Sequence, residues 1–196
     1  MKLRQRKNQR GFSLMEIVVV TGIFSLISGI MLSFFIQGSS IWNLITSQSD
    51  LRSSCRNAIN YMSQELRKTT RTSSEIPSPN LSIPSKPNNN SVDFYLPVDL
   101  DGNGLIINAT TGLTEWDKSN KIQYQYVPGQ KRLRRLEKGN QFIIANNVTS
   151  IEFEDKSINS SLYNNELKII LTLEKATVQN RTISVTLSSI VKLRNQ

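Results

Sequence analysis

Gly11-Phe12-Ser13-Leu14-Met15-Glu16 separates two stretches of opposite character. Before it, Met1 to Arg10 carries Lys2, Arg4, Arg6, Lys7 and Arg10 and no acid. Behind it, Ile17 to Ile36 runs without one charged residue. As a helix rising about 1.5 Å per residue, such a run reaches roughly 30 Å, the hydrocarbon thickness of a bilayer. A basic flank stays on the cytoplasmic side of a membrane, which places the rest of the chain on the far side. Glu16 does not suit a plain anchor. An acid costs about 2.5–3.5 kcal/mol at the centre of a membrane helix, less near an end, and marks a function with a partner. Nothing else in the segment can neutralise it, so a partner outside the segment is expected.

The remaining composition bounds the chemistry. The chain has 196 residues and a net charge of +9. Subtracting the leader's five cations leaves +4, so the basic balance is mainly a topology signal and nucleic-acid binding is not expected from it. There is no histidine, which removes the commonest general base and metal ligand. With Cys55 the only cysteine, no intrachain disulfide can form, and its place on a predicted helix face points to a buried, inert thiol. No phosphate-binding glycine loop, metal-spaced cluster or nucleophile–base pair is present, and no enzyme is expected. Glu115, Asp117, Glu152 and Glu154 read as solvated acids of strands and loops. Lys131-Arg132-Leu133-Arg134-Arg135 reads as a solvated hairpin strand, with a DNA or anionic-lipid patch as the alternative.

The helix is expected to continue past the membrane, from about Phe12 to Thr70, because no proline occurs before Ile76. Leu44, Leu51, Cys55, Ala58 or Ile59, Met62 and Leu66 recur at helical spacing, with Arg52, Arg56, Asn60, Ser63, Glu65 and Arg67 on most of the rest. The predicted organisation is a leader (1–11), a membrane half of the helix (12–36), an amphipathic half (37–72), a linker rich in Pro, Ser and Asn (73–91) and a β-rich domain (92–196). Alternating positions predict strands at Val92–Leu96, Ile122–Tyr126, Leu133–Leu136, Ile151–Phe153, Ile169–Leu173 and Ile183–Leu187. Pro128-Gly129 reads as a hairpin turn and Asn180 as the centre of another, while Phe142–Ala145 is an apolar run of either type. The fold class is α+β, the helix packing on a mainly antiparallel sheet.

The basic leader, Gly11, Phe12, Glu16 and the apolar run together resemble the prepilin leader of type IV pilins and type II secretion pseudopilins. The resemblance implies a type IV pilin-like fold and cleavage by a prepilin peptidase between Gly11 and Phe12. It also implies N-methylation of Phe12 and pairing of Glu16 with the N-terminal amine of a neighbouring subunit. Implied partners are other pilins or pseudopilins and an inner-membrane assembly platform with its ATPase. The implied location is the bacterial inner membrane, single-pass, with the C-terminal domain periplasmic or extracytoplasmic, and then the filament. Met62-Ser63-Gln64-Glu65-Leu66-Arg67 and Leu187 to Arg194 are similar to the pseudopilin J and minor pilin W groups. Ser33 stands where many major pilins have a proline, so the family's helix kink is not expected from this residue.

Asp99-Leu100-Asp101-Gly102-Asn103-Gly104 resembles the opening of an EF-hand loop. A polar turn and a calcium site are both open to it. In the second case Asp99, Asp101 and Asn103 supply side-chain ligands, with a backbone carbonyl near Leu105. The expected closing Glu is replaced by Thr110, and Ile107 offers no side-chain oxygen. Some pseudopilins bind calcium, which the resemblance extends to this loop.

Overall fold

A computed structural model describes residues 13–70, 80–177 and 181–194. The leader, the Gly11–Phe12 bond, the first part of the linker and the Asn180 turn lie outside the described residues. The chain divides into two units, 1–45 and 46–196, joined by one helix, α1 (Leu14–Leu66). In the first unit, the large apolar side chains of α1 from Leu14 to Ile36 are exposed, as are Ile41, Trp42 and Ile45.

In the second unit, α1 buries Leu51, Cys55, Ala58, Ile59, Met62 and Leu66, which is the predicted stripe, with both Ala58 and Ile59 in it. Each large apolar side chain withdrawn from water contributes about 1.5–3 kcal/mol. Burial pushes the Cys55 thiol up in pKa, against a smaller opposing effect of the Leu187 backbone. The helix stops at Leu66, four residues before the expected end. There its ladder tightens, with Lys68 donating to the Glu65 carbonyl and Thr69 to the Leu66 carbonyl. Two polar residues expected outside the stripe flank it instead: Ser63 is buried, and Glu65 is largely so.

The strands are β1 (Leu81–Ser82), β2 (Ser91–Phe94), β3 (Ile122–Val127), β4 (Arg132–Glu137), β5 (Asn140–Asn146), β6 (Val148–Glu154), β7 (Glu166–Ala176) and β8 (Thr182–Lys192). Every pairing is antiparallel. Among the described residues there are two sheets where one was expected, β1 to β5 and β6 to β8, each in chain order. The division falls at Asn147, whose φ of 60° puts it in the left-handed region, which asparagine tolerates better than most residues. The chain leaves the first sheet at Asn146 and enters the second at Val148, so a corner converts one long strand into two. Phe142–Ala145 proves to be β5. The preceding Lys138-Gly139 is a two-residue hairpin link with both φ values positive, 48° and 80°, the backbone of a type I′ turn.

The region read as linker is structured from Asn80 onward. Asn80 is fully buried, donates to the Thr70 hydroxyl at 2.9 Å and accepts from Lys118. Asn89, also buried, donates to the Phe153 carbonyl at 3.2 Å, and Phe153 N–H donates back to the Asn89 carbonyl at 2.8 Å. Proline and asparagine content signalled the loop, but not that two of its amides are buried, one holding the Phe153 carbonyl and the other the Thr70 and Lys118 side chains. Lys86 reaches Glu154 at 2.8 Å, and this bond with that from Asn159 holds the Glu154 carboxyl below its ordinary pKa.

Val92, Phe94, Ile122, Tyr124 and Leu133 of the first sheet and Ile151, Phe153, Ile169, Leu171 and Leu173 of the second form one core with the α1 stripe. One polar cluster crosses that core. Arg135, at 7% side-chain exposure, grips Glu65 through Nε at 2.9 Å and Nη2 at 2.9 Å, and also contacts Glu137. The Tyr124 hydroxyl donates to the same Glu65 carboxylate. Burial opposes the charge on Arg135, yet Glu65 and Glu137 outweigh it and raise its pKa. Burial and then Glu65 push the Tyr124 hydroxyl up, so it stays protonated and remains a donor. Arg135 was expected in a solvated strand. It points inward because β4 alternates, with Leu133 and Arg135 on the core side and Arg132 and Arg134 on the other.

Arg135→Met leaves Glu65 and Glu137 without their cation. The expected loss is about 3–5 kcal/mol in chemical denaturation of the detergent-solubilised chain, against about 1–2 kcal/mol for Tyr124→Phe. A loss below about 1 kcal/mol for Arg135→Met would show that solvent already compensates Glu65.

Candidate membrane and assembly site

The first turn of α1 is built by its own sequence. Ser13 Oγ accepts the Glu16 N–H at 3.2 Å, and Glu16 Oε2 accepts the Ser13 N–H at 2.9 Å. This reciprocal pair is a capping box, which satisfies two of the N–H groups that a helix start leaves without a partner. Glu16 thus has a local hydrogen-bond partner, although no charge within the segment neutralises it. The signal was present as Ser-x-x-Glu before an apolar run. The carboxylate also lies at the positive end of the helix dipole.

Behind the cap, several polar side chains bond within the helix itself. Thr21 donates to the Ile17 carbonyl at 2.9 Å, Ser25 to the Thr21 carbonyl at 2.8 Å, and Gln37 to the Ser33 hydroxyl at 3.3 Å. In hydrocarbon every polar group needs such a partner. An 18-residue window of α1 has a mean hydropathy of 2.3 with no residue buried, so the helix is long and apolar enough to cross a membrane. Exposed apolar surface on this scale marks a lipid or protein contact. Gly22, Gly29 and Gly38 leave open space where a Cβ would stand.

The second candidate site is the loop between β2 and β3. Asp99 accepts the N–H groups of Gly102, Asn103 and Gly104 at 2.8–3.1 Å. Asp101 accepts those of Asn103 and Ala109, and the Ala109 N–H is the main reason its carboxyl stays below the ordinary range. Asn103 turns its amide nitrogen to Asp101 and the Ile107 carbonyl, and its oxygen accepts from Leu105 N–H. Glu115, expected in solvent, is 8% exposed. It accepts the N–H groups of Leu100 and Asp101 and the Asn108 side-chain amide. A carboxylate oxygen from each of Asp99, Asp101 and Glu115 lies within 4.8 Å of the others. These three residues could hold one hard divalent cation, whose oxygen ligands sit at about 2.3–2.6 Å for calcium. Glu115 comes from beyond the twelve-residue EF frame, sixteen positions after Asp99, so the frame could not point to it.

The basic run is not one patch. Lys131 is exposed at the hairpin, Arg132 and Arg134 lie on the outer face, and Arg135 is inside. Arg134 donates to Gln130 and Gln141, both neutral.

Residues 6–32 match the family model of the prokaryotic N-terminal methylation motif. The match covers the end of the basic stretch, the Gly11–Glu16 segment and most of the apolar run. It supports a type IV pilin-like subunit, a structural type of protein, processed by a prepilin peptidase and associated with other pilins. No curated protein and no solved structure matches the chain.

Glu115→Ala removes the acceptor of three donors at once. The expected outcome is faster amide exchange across residues 99–115, with β7 and β8 unchanged, and a stability loss of about 1–3 kcal/mol. Unchanged exchange in the loop would mean that Asp99 and Asp101 order it alone.

Proposed function

We propose that the protein is a minor pilin or pseudopilin, a structural subunit of a type IV pilus or type II secretion filament. A prepilin peptidase cuts between Gly11 and Phe12 on the cytoplasmic face and methylates the new Phe12 amine. The subunit then waits in the inner membrane, crossing it once, with the β-rich domain on the far side. An assembly platform and its ATPase move it into the filament. There the apolar half of α1 exchanges lipid for neighbouring helices, and Gly22 and Gly29 let backbones approach. Glu16 keeps its cap and meets the N-terminal amine of another subunit. A close pair recovers much of the several kcal/mol that each buried ion costs.

The observation that carries this reading is the position of the methylation motif on a capped helix whose large apolar side chains from Leu14 to Ile36 are exposed. A pseudopilin J-like or minor pilin W-like subunit is the finer reading. It rests on the Met62–Arg67 and Leu187–Arg194 stretches and on the size of the domain beyond the helix. The alternative, DNA or ligand binding in uptake or adhesion, loses support because Arg135 is committed to Glu65. For the loop between β2 and β3, the approach of its three carboxylates favours calcium as a ligand. A melting temperature that rises with millimolar calcium in the wild type, but not in Glu115→Ala, supports this; no rise removes it.

Gly11→Ala should leave the leader attached, so intact mass gives the full chain instead of one starting at methylated Phe12; a normal mature mass would refute the processing. Glu16→Ala should be cut normally yet recovered with filament partners at roughly a tenth of the wild-type level or less, given the charge it removes. Unchanged recovery would exclude the pairing role.

A further inference from the structure

The 97–117 loop and the outer face of the first sheet are complementary in charge and apolar content. The loop holds Asp99, Asp101, Glu115 and Asp117 and no lysine or arginine, although the chain as a whole is basic. It also exposes Leu100 (64%), Leu105 (63%), Ile107 and Leu113 to solvent. Long ordered loops in compact domains are usually functional. This one is held by carboxylates bonded to its own backbone, so its leucines are presented on a fixed frame.

On the sheet, Arg132 and Arg134 share the face turned away from the core, and Ile143, half-exposed, is paired directly across from Arg134. Lys131 adds a further cation at the hairpin. The loop leaves the sheet where Phe94 pairs with Ile122, whereas Arg132 pairs with Val127, the other end of β3. At about 3.3 Å per residue the two ends are roughly 17 Å apart, and within the subunit Leu105 and Ile143 both stay exposed, so the loop does not cover Ile143. Lys118, Lys121 and Lys138 border the loop. Lys121 is paired with Asp93, Lys118 donates to Asn80 and lies over the Tyr95 ring, and the Asp117 carboxyl is held low chiefly by the Ser119 hydroxyl, with Lys138 adding to it.

We infer that the 97–117 loop of one copy docks on the β4–β5 outer face of a second copy of this chain, setting Leu105 near Ile143 and, when no cation is bound, the exposed Asp101 side of the loop against Arg132 and Arg134. Two different surfaces meet, so the contact is head-to-tail and does not close as a two-fold dimer. Duplex DNA is the competing occupant of the arginines. The second copy is favoured because the face carries an aliphatic neighbour and because the chain itself supplies a cation-free partner segment. The inference goes beyond the proposed function and does not depend on leader cleavage.

The test uses full-length chains in detergent, one Leu105→Cys and one Ile143→Cys, mixed under a mild oxidant. Cys55, fully buried, does not compete. A disulfide-linked dimer with one copy of each is expected at about ten times the yield of either variant alone. Association through α1 raises all three samples alike and cancels in the ratio. Adding Arg132→Glu and Arg134→Glu to the Ile143→Cys chain, or raising salt to about 1 M, where the Debye length is about 3 Å, should cut the mixed dimer about tenfold. If the double reversal lowers the circular dichroism signal, Arg132→Gln with Arg134→Gln replaces it. Equal yields in all three samples, preferential Leu105–Leu105 linkage, or indifference to the arginine changes would overturn the contact. So would salt-dependent DNA binding lost with Arg132 and Arg134 in the absence of a mixed dimer.

Discussion

Leu51, Cys55, Ala58, Ile59, Met62 and Leu66 make one greasy line along α1, and the inner faces of both sheets close on it. Two antiparallel sheets with polar outer sides have only those inner faces to hide. The helix supplies four large side chains to the shared core, about 6–12 kcal/mol of burial as an upper estimate. That range is comparable with the whole net stability of an ordinary domain, about 5–15 kcal/mol. A line of aliphatic contacts tolerates repacking, whereas a forked guanidinium does not. The Arg135–Glu65 grip, with Tyr124 on the same carboxylate, adds the directional contact that the aliphatic line lacks. The same helix meets two solvents: its first half carries apolar side chains that water disfavours, and its second half carries a stripe that the sheets require.

Periodicity made most of this visible before any coordinates. A charge-free run of helical length and a stripe at spacings of three, four and seven are long signals, and α1 follows both. Period-two alternation located β2, β3, β4, β6, β7 and β8. What escaped is local or long-range. Asn147 breaks one strand into two through a single left-handed residue, which alternation does not register. Lys138-Gly139 was a legible hairpin link whose significance was hidden by the ambiguous run after it. β1 has two residues, too few for any pattern.

The polar residues were harder to place than the apolar ones, for a physical reason. An apolar side chain is buried wherever the pattern turns it inward. A charged one is buried only where a partner from elsewhere in the chain meets it. Glu65 and Arg135 lie seventy residues apart, and Glu115 caps a loop through N–H groups fourteen and fifteen positions away. Neither partnership leaves a trace in spacing. The Ser13–Glu16 pair is the converse case, being local enough to be readable. It also changes how the acid at the head of the apolar run is understood: the helix start itself gives that carboxylate a hydrogen bond.

β8 is the outer strand of the second sheet, eleven residues long, without proline or acid. Among the described residues no strand pairs with its outer rim, which offers backbone donors and acceptors to any extended chain that passes, and Lys192 is the one charged residue in the strand. Before α1 has settled on the sheets, nascent copies made close together would find that rim first. Crowded synthesis therefore favours tangled, strand-added aggregates, and a holding chaperone would have most to do at this strand.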